Sequence, residues 1–437
     1  MRWLLLLLLI APAWAEPDFA AEAKRAEQLL GEYVRLATVN PPADTRASAD
    51  FVQKLLEAEG IAVERFESVP NKVNLVARLP GQSREGAVVL LHHMDVVPAD
   101  ASRWPVDPFS GAVKDGYLYG RGSLDMKGVG VVQLLTFLAL KREGAPLAHD
   151  LILLATADEE TGGEDGAQFL LEQHFDKVKA DYVLDEGGSG TRDLLGADGR
   201  LVYAISCAEK KILWCKLKAT GHAGHGSQPR ADNPNLRLLE AWERLDGIGS
   251  SGQSPLVEEL SRRIGPLAQN PFTNAVVRDT MSLTSLRSGV GDPPKVNVIP
   301  SLAEATLDIR LLPDTDLPAF EAEIRRRLEG LEGVEFEVLY AMGNTPVSSW
   351  ETPLFRSLEK AIKTEHPEAV VTPYLVPFGT DSNAFRLKGA RAYGFFPMIL
   401  DASLIFSAHS DNERLPVAEF EPALRIYYRA LKDYLSD

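Results

Sequence analysis

The chain is short of cysteine, of long apolar runs and of basic residues. Only 2 of its 437 residues are Cys, so a disulfide-stapled scaffold is excluded. No segment after residue 15 approaches the roughly 18 consecutive apolar residues of a membrane-spanning helix. Acidic residues outnumber basic ones by 62 to 46, and a net charge of −16 argues against nucleic acid as a partner. The length predicts two or three domains of ordinary size.

Three common catalytic or nucleotide-binding signatures are also missing. The sequence has no Gly-x-x-x-x-Gly-Lys-Ser/Thr phosphate loop, no Gly-x-Ser-x-Gly nucleophile elbow and no His-Glu-x-x-His helix. The Gly-rich loop at residues 120–128 is therefore not interpreted as a phosphate-binding loop, and its polar residues need another explanation.

The first fifteen residues predict a secretory signal peptide. A cationic start at Arg2 precedes an apolar run at residues 4–11, which is too short to span a bilayer. The small-x-small pattern at residues 13–15 predicts cleavage after Ala15, and the alternative is an uncleaved anchor. We therefore expect a periplasmic or secreted protein with no membrane span after processing. In such a compartment Cys207 and Cys215 could pair, or remain two buried thiols on separate strands.

Apolar strands alternate with helical patterns through the first half of the chain. Strands are predicted at residues 73–77, 87–91, 151–155 and 181–184, and helices at 17–37, 46–59, 125–142 and 165–174. This alternation predicts an α/β fold with a mostly parallel sheet flanked by helices. A helix at 352–364, a strand at 392–399 and a helix at 418–435 continue the pattern near the end.

A different pattern lies between these two parts. Amphipathic strands at 211–219, 280–286, 303–310 and 334–339 combine with helices at 235–245 and 317–328. The order strand–helix–strand–strand–helix–strand predicts a small α+β domain of the ferredoxin-like type. We therefore expect a catalytic domain made of residues 16–208 and 342–437, with a lid or dimerisation domain, residues 209–341, inserted between them.

Polar residues concentrate where the strands of the predicted sheet end. In open α/β sheets ligands bind at the carboxyl ends of the strands. The Gly-rich loop brings a further acid to the start of a helix, and a late histidine follows a predicted apolar strand. The candidates at these places are His93, Asp95, Asp125, Glu159, Glu160, Asp185, Glu186 and His409.

This set of side chains favours a pair of metal ions. Histidine with carboxylates and no cysteine suits Zn²⁺, for which Co²⁺ or Mn²⁺ could substitute. A carboxylate shared between two ions would hold them together. Asp95, two residues after His93, is expected to bond the second ring nitrogen of that histidine. Because Glu159 and Glu160 are adjacent, one can bind metal while the other stays free as a general base.

These segments resemble the metal-site motifs of the co-catalytic zinc peptidase family. The family includes aminoacylase, succinyl-diaminopimelate desuccinylase, glutamate carboxypeptidase and carboxypeptidase S. The resemblance covers nearly the whole chain after residue 15 and is nearest to the carboxypeptidase S branch, which contains a secreted N-fatty-acyl amino acid synthase/hydrolase. The segments that carry it are residues 93–98, 104–111, 185–188, 270–274 and 297–300.

The resemblance implies a role for each candidate. His93, Glu160 and His409 would bind metal, Asp125 would bridge both ions, and Glu159 would be the base. Glu186 is the favoured ligand after the fourth strand, with Asp185 as the alternative. From the small domain, His225 would reach into the partner subunit of a homodimer and stabilise the oxyanion; the alternative is a plain loop residue. The residues implied in substrate binding are Asn297, Arg310, Gly379 and Thr380.

The hypothesis from the sequence is a secreted di-zinc metallohydrolase. It would cleave the amide bond of N-acyl amino acids or of short peptides with a free C-terminal carboxylate. Arg310 would capture that carboxylate, or would simply pair with Asp308 or Asp314. Two alternatives stay open: the same scaffold acting mainly as an N-acyl amino acid synthase, and a non-catalytic ligand-binding homologue. The expected partners are the small-molecule substrate and a second copy of the chain.

Overall fold

The computed structural model describes residues 16–249, 254–343 and 345–436. The predicted signal peptide, residues 1–15, lies outside these ranges. Within them, no helix is both long and apolar enough to cross a membrane.

The strands and helices are numbered in chain order. The strands are β1 Val63–Glu67, β2 Val73–Leu79, β3 Ser83–His93, β4 Val113–Lys114, β5 Tyr117–Tyr119, β6 His149–Thr156, β7 Tyr182–Asp185, β8 Gly190–Thr191, β9 Val202–Glu209, β10 Lys211–Thr220, β11 Gly224–His225, β12 Thr280–Ser288, β13 Val298–Ile299, β14 Leu302–Leu311, β15 Val334–Ala341, β16 Val370–Val376, β17 Arg391–Gly394 and β18 Arg414–Pro416. The helices are α1 Phe19–Val34, α2 Arg46–Glu57, α3 Lys127–Glu143, α4 Phe169–Gln173, α5 Phe175–Val178, α6 Pro234–Leu245, α7 Pro255–Ile264, α8 Pro271–Val277, α9 Leu317–Leu328, α10 Pro353–Glu365, α11 Ser382–Leu387, α12 Ala402–Ile405 and α13 Phe420–Leu435.

The larger sheet has nine strands in the order β1-β2-β6-β3-β7-β17-β9-β16, with β8 beside β9. The four central strands β6, β3, β7 and β17 are parallel to one another. Helices cover both faces, as β3 illustrates: Val88 and Leu90 belong to one apolar core, and Val89 and Leu91 to the other. Burial on both faces explains why this strand is a continuous apolar run. The predicted α/β fold with a mostly parallel, helix-flanked sheet is confirmed.

The smaller sheet is antiparallel, in the order β12-β14-β10-β15. Its strands alternate between buried and more exposed residues, and α6 and α9 supply the other half of its core through residues such as Leu238 and Ile324. The small sheet with two helices on one face has the order of elements that the pattern of strands and helices predicts.

The connection between α6 and β12 returns to the larger body. Leu256, Leu260 and Ile264 of α7, and Val276 of α8, are part of the larger core, not of the small one. Both helices lie within the interval 209–341 in sequence, and α7 packs beside β16 in space. This return brings Phe272 to the cavity described below.

Four strands of the larger sheet, β1, β8, β9 and β16, were not predicted. In β16 Pro373 disguises the strand, because proline is disfavoured in strand interiors. The predicted strand at 392–399 is correct only as far as Gly394, because Pro397 follows closely and cannot donate to a ladder. His409 therefore follows the short helix α12, not a strand as predicted.

Cys207 on β9 and Cys215 on β10 are both buried free thiols, and the disulfide alternative is wrong.

Candidate active site

Three adjacent parallel strands bring their polar ends together. Since β6, β3 and β7 are neighbours, the segments after their carboxyl ends share one edge of the sheet. Nε2 of His93, the last residue of β3, lies 3.7 Å from Oε1 of Glu186 and 4.0 Å from Oε2 of Glu159. The structure thus gathers the three strand-end side chains into one cluster.

Asp125 joins two groups of candidate metal ligands. Its Oδ1 lies 3.1 Å from Nε2 of His93, and its Oδ2 lies 3.0 Å from Nε2 of His409. One group comprises His93, Asp125 and Glu186, and the other comprises Asp125, Glu160 and His409. The ligand atoms within each group lie within 4.8 Å of one another. The family resemblance implied the bridging role for this same aspartate.

The spacing of these atoms fits a pair of tetrahedral ions. Zinc binds histidine nitrogen and carboxylate oxygen at about 2.1 Å, so two ligands of one ion lie roughly 3.4 Å apart. The observed separations bracket that value: 3.1 Å from His93 to Asp125, 3.7 Å from His93 to Glu186, and 3.2 Å from His409 to Glu160. Histidine and carboxylate donors without thiolate also match the preferences of zinc. The residues present therefore fit two metal ions.

The charge of the cluster gives a second test of metal binding. In the part of the chain that the structure describes, the ion pairs of its carboxylates are with histidines only. Burial raises the pKa of Glu159 and of Glu186 well above the ordinary range, and the charge of Asp125 adds to this. Hydrogen bonding to Asp125 and Glu160 raises the pKa of His409 to about 10. Bound cations would balance this excess of buried negative charge.

Asp95 positions the two glutamates after β6. Its carboxylate accepts hydrogen bonds from the backbone N–H groups of Glu159 and Glu160, both at 3.2 Å. Nδ1 of His93 instead contacts the backbone carbonyl of Asp95 at 2.9 Å, while the carboxylate oxygen lies 3.6 Å away. The predicted contact with the Asp95 side chain is thus made by its main chain, because the carboxylate is turned toward the amides. A donating Nδ1 leaves Nε2 free to bind metal.

No sequence pattern predicted the residues that hold the turn before Glu159. The Asn40 amide donates to Asp95 at 2.8 Å and to Asp158 at 3.1 Å, tying the ends of β3 and β6 together. Asp158 adopts a left-handed conformation, with φ of 76°, and also accepts a hydrogen bond from Lys72. No motif pointed to Asn40, since it precedes Asp95 by 55 positions.

A second missed contact holds the loop that carries Asp125. The buried Glu413 carboxylate accepts from the backbone N–H groups of Leu124 at 2.8 Å and Asp125 at 3.1 Å. Its other oxygen pairs with buried Arg121 at 2.6 Å, and the Arg121 guanidinium lies over the ring of Trp104. The position of Arg121 within the Gly-rich loop was the one available signal, and its partner is 292 positions away.

The two candidates after β7 occupy different environments. Glu186 faces the donor group of His93, whereas Asp185 points into the protein. The Asp185 carboxylate accepts hydrogen bonds from the backbone N–H and the hydroxyl of Ser382 at 2.9 and 2.7 Å. The geometry therefore favours Glu186 as the ligand and gives Asp185 a role in anchoring the start of α11.

A cavity of about 440 Å³ opens beside the donor groups. Asp125, Glu159, Glu160, Glu186 and His409 line it, and most of the remaining wall is apolar. Of the predicted substrate residues, Gly379 lines this cavity. The hydroxyl of Thr380 donates to Glu209 at 2.9 Å, and Glu209 is itself paired with Arg386 inside the protein. Thr380 thus supports the loop of Gly379 without lining the cavity.

The predicted residues of the small domain lie outside this cavity. Arg310 lies outside the cavity and pairs with Asp308 at 2.7 Å, which is one of the two ion pairs expected if Arg310 does not bind substrate. His225 is exposed, and its Nδ1 lies 2.7 Å from the Ser227 hydroxyl. Asn297 is its neighbour through the pairing of β11 with β13, since the Asn297 carbonyl accepts from Gly226 at 2.7 Å. None of the three side chains contributes to the cavity wall of its own chain.

Comparison with known proteins decides the family. A model described as Peptidase family M20/M25/M40 matches residues 89–433. Aminoacylase-1 from Sus scrofa is 30% identical over 416 residues, which cover 92% of this chain and 93% of that protein. The chain belongs to peptidase family M20/M25/M40. It is therefore an enzyme of the metallohydrolase type, and the predicted family resemblance is confirmed. The non-catalytic alternative finds no support, since both donor groups and Glu159 are intact.

Two further similarities place this family member among its relatives. An N-fatty-acyl-amino acid synthase/hydrolase from Xenopus tropicalis is 31% identical over 378 residues, covering 80% of this chain and 72% of that protein. A solved metallo-carboxypeptidase of the M20 family from Sulfolobus solfataricus superposes with a TM-score of 0.72 at 20% identity, covering 94% of this chain and 99% of that chain. The second similarity shows the shared fold.

Proposed function

We propose that this protein is a secreted di-zinc hydrolase that cleaves the amide bond of N-acyl amino acids or of short peptides with a free C-terminal carboxylate. The observation that carries the proposal is the sharing of Asp125 between two ligand groups beside Glu159. The names of the relatives, an aminoacylase and an N-fatty-acyl-amino acid synthase/hydrolase, support the substrate class.

The donor groups define where the metal ions would bind. His93, Asp125 and Glu186 would hold one ion, and Asp125, Glu160 and His409 the other. Two zinc ions, when bound, polarise the scissile carbonyl and lower the pKa of the attacking water. Asp95 and Glu413 keep the protein ligands in place through the backbone amides described above.

Glu159 would carry the proton transfers. Its carboxylate lines the cavity and lies 4.0 Å from His93 Nε2, so it is not committed to a short ion pair there. Glu159 would take a proton from the attacking water and pass it to the leaving amine. A buried carboxylate of raised pKa suits this exchange, since it both accepts and returns a proton readily.

The small domain would complete the site of a second copy. His225 is exposed and absent from the cavity of its own chain, which is the placement a residue acting across a homodimer needs. It would stabilise the oxyanion in the partner subunit. Exposed leucines on the same domain support the dimer: Leu236 and Leu239 of α6, and Leu283 and Leu286 of the edge strand β12.

Arg310 and Asn297 would recognise the free carboxylate of the substrate. A guanidinium binds carboxylates in a two-pronged geometry, and Arg310 already binds Asp308 in this way through Nε at 2.7 Å and a terminal nitrogen at 3.1 Å. A substrate carboxylate would replace Asp308 as its partner.

The predicted cleavage after Ala15 would deliver the enzyme to the periplasm or the outside of the cell.

The proposal is tested with the purified processed protein, stripped of metal by a chelator and reloaded with Zn²⁺. We expect no turnover of N-acyl amino acids or dipeptides without metal, and recovery on adding zinc. Activity that is indifferent to chelation, or no activity with either substrate class, would overturn it. Sequencing the N-terminus of the exported protein tests the cleavage site independently.

A further inference from the structure

One buried carboxylate lies where the larger body continues into the small domain. Glu209 is the last residue of β9 in the larger sheet, and only Lys210 separates it from β10 of the small sheet. Its side chain is 1% exposed and pairs with the equally buried Arg386 at 2.6 Å. None of the steps proposed for the hydrolysis uses this ion pair, so its place at the junction of the two sheets calls for another role.

Both carboxylate oxygens of Glu209 hold the loop that follows β16. Oε2 accepts from the backbone N–H of Thr380 at 3.0 Å, and Oε1 accepts from the hydroxyl of the same residue at 2.9 Å. Residues 377–381 are called the cavity loop here, because residues 377–379 line the cavity. The end of the loop is fixed as well, since Ser382 donates to Asp185. Glu209 thus helps to set where the cavity loop lies.

The cavity loop also meets the face of the small sheet that carries Arg310. A Cβ atom on Gly379 would lie 3.4 Å from Cδ1 of Ile212. Ile212 is directly opposite Arg310 in the pairing of β10 with β14, so the two side chains lie on one face of the small sheet. The loop therefore borders the strand pair that presents the proposed carboxylate-binding guanidinium.

Further buried contacts join the segments that connect the two sheets. Nζ of the buried Lys210 donates at 2.9 Å to the hydroxyl of Thr280, the first residue of β12. Nε of Arg386 donates at 3.2 Å to the hydroxyl of Ser348, in the segment after β15. Three connections between the sheets are thus linked around the ion pair: the one into β10, the one into β12 and the one that leaves β15.

Stabilisation alone does not account for this arrangement, because replacing a buried ion pair by apolar residues is often neutral or stabilising. We propose that Glu209 is a positioning residue. It fixes the cavity loop to the junction with the small domain, so that the loop and Arg310 meet the substrate carboxylate as one unit. The inference rests on the proposed function, in which Arg310 binds that carboxylate. Glu209 acts through the loop, since it does not itself line the cavity.

The first experiment measures kcat and KM of zinc-loaded Glu209→Gln and Thr380→Val with an N-acyl amino acid. Each variant removes hydrogen bonds that hold the loop, and we expect KM to rise about tenfold. Because the substrate carboxylate is not among the reacting atoms, kcat should stay within about threefold of the wild type. The zinc content should equal that of the wild type. Wild-type KM in both variants would overturn the proposal.

The matched control is Glu143→Gln, which also loses a buried ion pair. The Glu143 side chain is 4% exposed and pairs with Lys432 at 2.6 Å, outside the cavity, so KM should stay at the wild-type value. An equal rise of KM in this control would reduce the effect to general destabilisation. Thr380→Ser retains the hydroxyl and should recover most of the loss seen in Thr380→Val. Because Thr380→Val leaves the ion pair intact, the proposal stays testable even if Glu209→Gln does not fold.

A double variant tests whether the loop and Arg310 act together. The losses of kcat/KM in Glu209→Gln and Arg310→Gln should not multiply, and the loss in the double variant should fall short of their product by about tenfold. A double variant whose loss equals the product would show independent contributions and would contradict the proposal.

Hydrogen–deuterium exchange gives a readout that does not depend on turnover. Amides of the cavity loop should exchange at least about tenfold faster in Glu209→Gln than in the wild type, and at the wild-type rate in Glu143→Gln. Unchanged protection of the loop in Glu209→Gln would refute the positioning role even in an active enzyme. If the wild type hydrolyses neither N-acyl amino acids nor dipeptides, the proposed function fails, while the exchange rates still decide whether Glu209 holds the loop.

Discussion

The larger body and the small domain contribute to the proposed site in different ways. In the larger body Asp125 lies 3.1 Å from His93 and 3.0 Å from His409, and buried hydrogen bonds hold the surrounding turns. In the small domain the partners of His225 and Arg310 are their own near neighbours in sequence, Ser227 and Asp308. One half of the site is therefore assembled within the chain, whereas the other half depends on a second copy or on movement of the domain.

The largest loss of activity is expected when Glu159, the proposed base in the larger body, is replaced. Glu159→Gln should reduce kcat by about a hundredfold to ten-thousandfold, because it removes the proton acceptor. Its metal content should equal that of the wild type, since Glu159 belongs to neither ligand group. The matched control is the exposed Glu164→Gln nearby, which should keep wild-type turnover. Turnover of Glu159→Gln close to the wild-type rate would refute the assignment of the base.

A smaller loss, about a hundredfold in kcat, is expected for His225→Ala, because one oxyanion donor disappears. His222→Ala is the control, since that ring bonds Asp232 at 2.6 Å and has no proposed role.

Mixing of subunits tests whether His225 acts in the site of the partner subunit. Mixed dimers of Glu159→Gln and His225→Ala subunits would contain one intact site and should regain activity. Failure of mixed dimers to recover would place His225 in the site of its own chain or in none.

A loss of about tenfold to a hundredfold in zinc affinity is expected for Glu413→Gln. The substitution weakens the acceptor for the Leu124 and Asp125 amides and leaves Arg121 without its charged partner. Zinc titration against a competing chelator measures this affinity. Wild-type affinity in a folded Glu413→Gln variant would show that the loop holds Asp125 without this carboxylate.

The smallest effect concerns α7, which lies in the interval of the small domain but packs on the larger core. Hydrogen bonds from Arg262 and Arg263 lower the pKa of Glu259 to about 2, and Arg263 also donates to the Val371 carbonyl of β16 at 3.0 Å. Because the folded-state pKa lies below the ordinary value of 4.5, the pair stabilises the fold above that pH and this contribution is lost as pH falls toward 2.

Glu259→Gln should therefore reduce the free energy of unfolding by up to about 1 kcal/mol at neutral pH. The difference from the wild type should shrink in urea titrations at acidic pH. Glu258→Gln, at an exposed position of the same helix, should change stability by only a few tenths of a kcal/mol. A deficit that grows on acidification would contradict the sign of the pKa shift.

Much of the larger body could be predicted because its buried strands are marked by short apolar runs that can be recognised within a few residues of sequence. The apolar runs of β3 and β6 mark buried strands, and parallel neighbours bring their polar ends to one edge whatever the intervening sequence. This rule alone locates His93, Glu159 and Glu186. His409 was located by its place after a predicted apolar strand, which is in fact the short helix α12, and the family resemblance implied its role as a ligand.

The supporting contacts could not be predicted, because they join distant parts of the chain without a repeating pattern. Asn40 and Glu413 act through backbone amides and single hydrogen bonds, which leave no periodicity in the sequence. Whether His93 meets the carboxylate or the carbonyl of Asp95 depends on where the amides after β6 lie. The partners of a dimer-dependent residue such as His225 are set by a second chain, about which one sequence gives no geometry.

The central claim is that two ligand groups sharing Asp125 hold two metal ions. The most direct test is the zinc content per chain of protein stripped with chelator, reloaded and analysed by mass spectrometry. We predict two ions in the wild type and in Asp185→Asn, and one strongly bound ion in Glu186→Gln, because Glu186 completes one group while Asp185 bonds Ser382. One ion or none in the wild type, or two in Glu186→Gln and one in Asp185→Asn, would contradict this account.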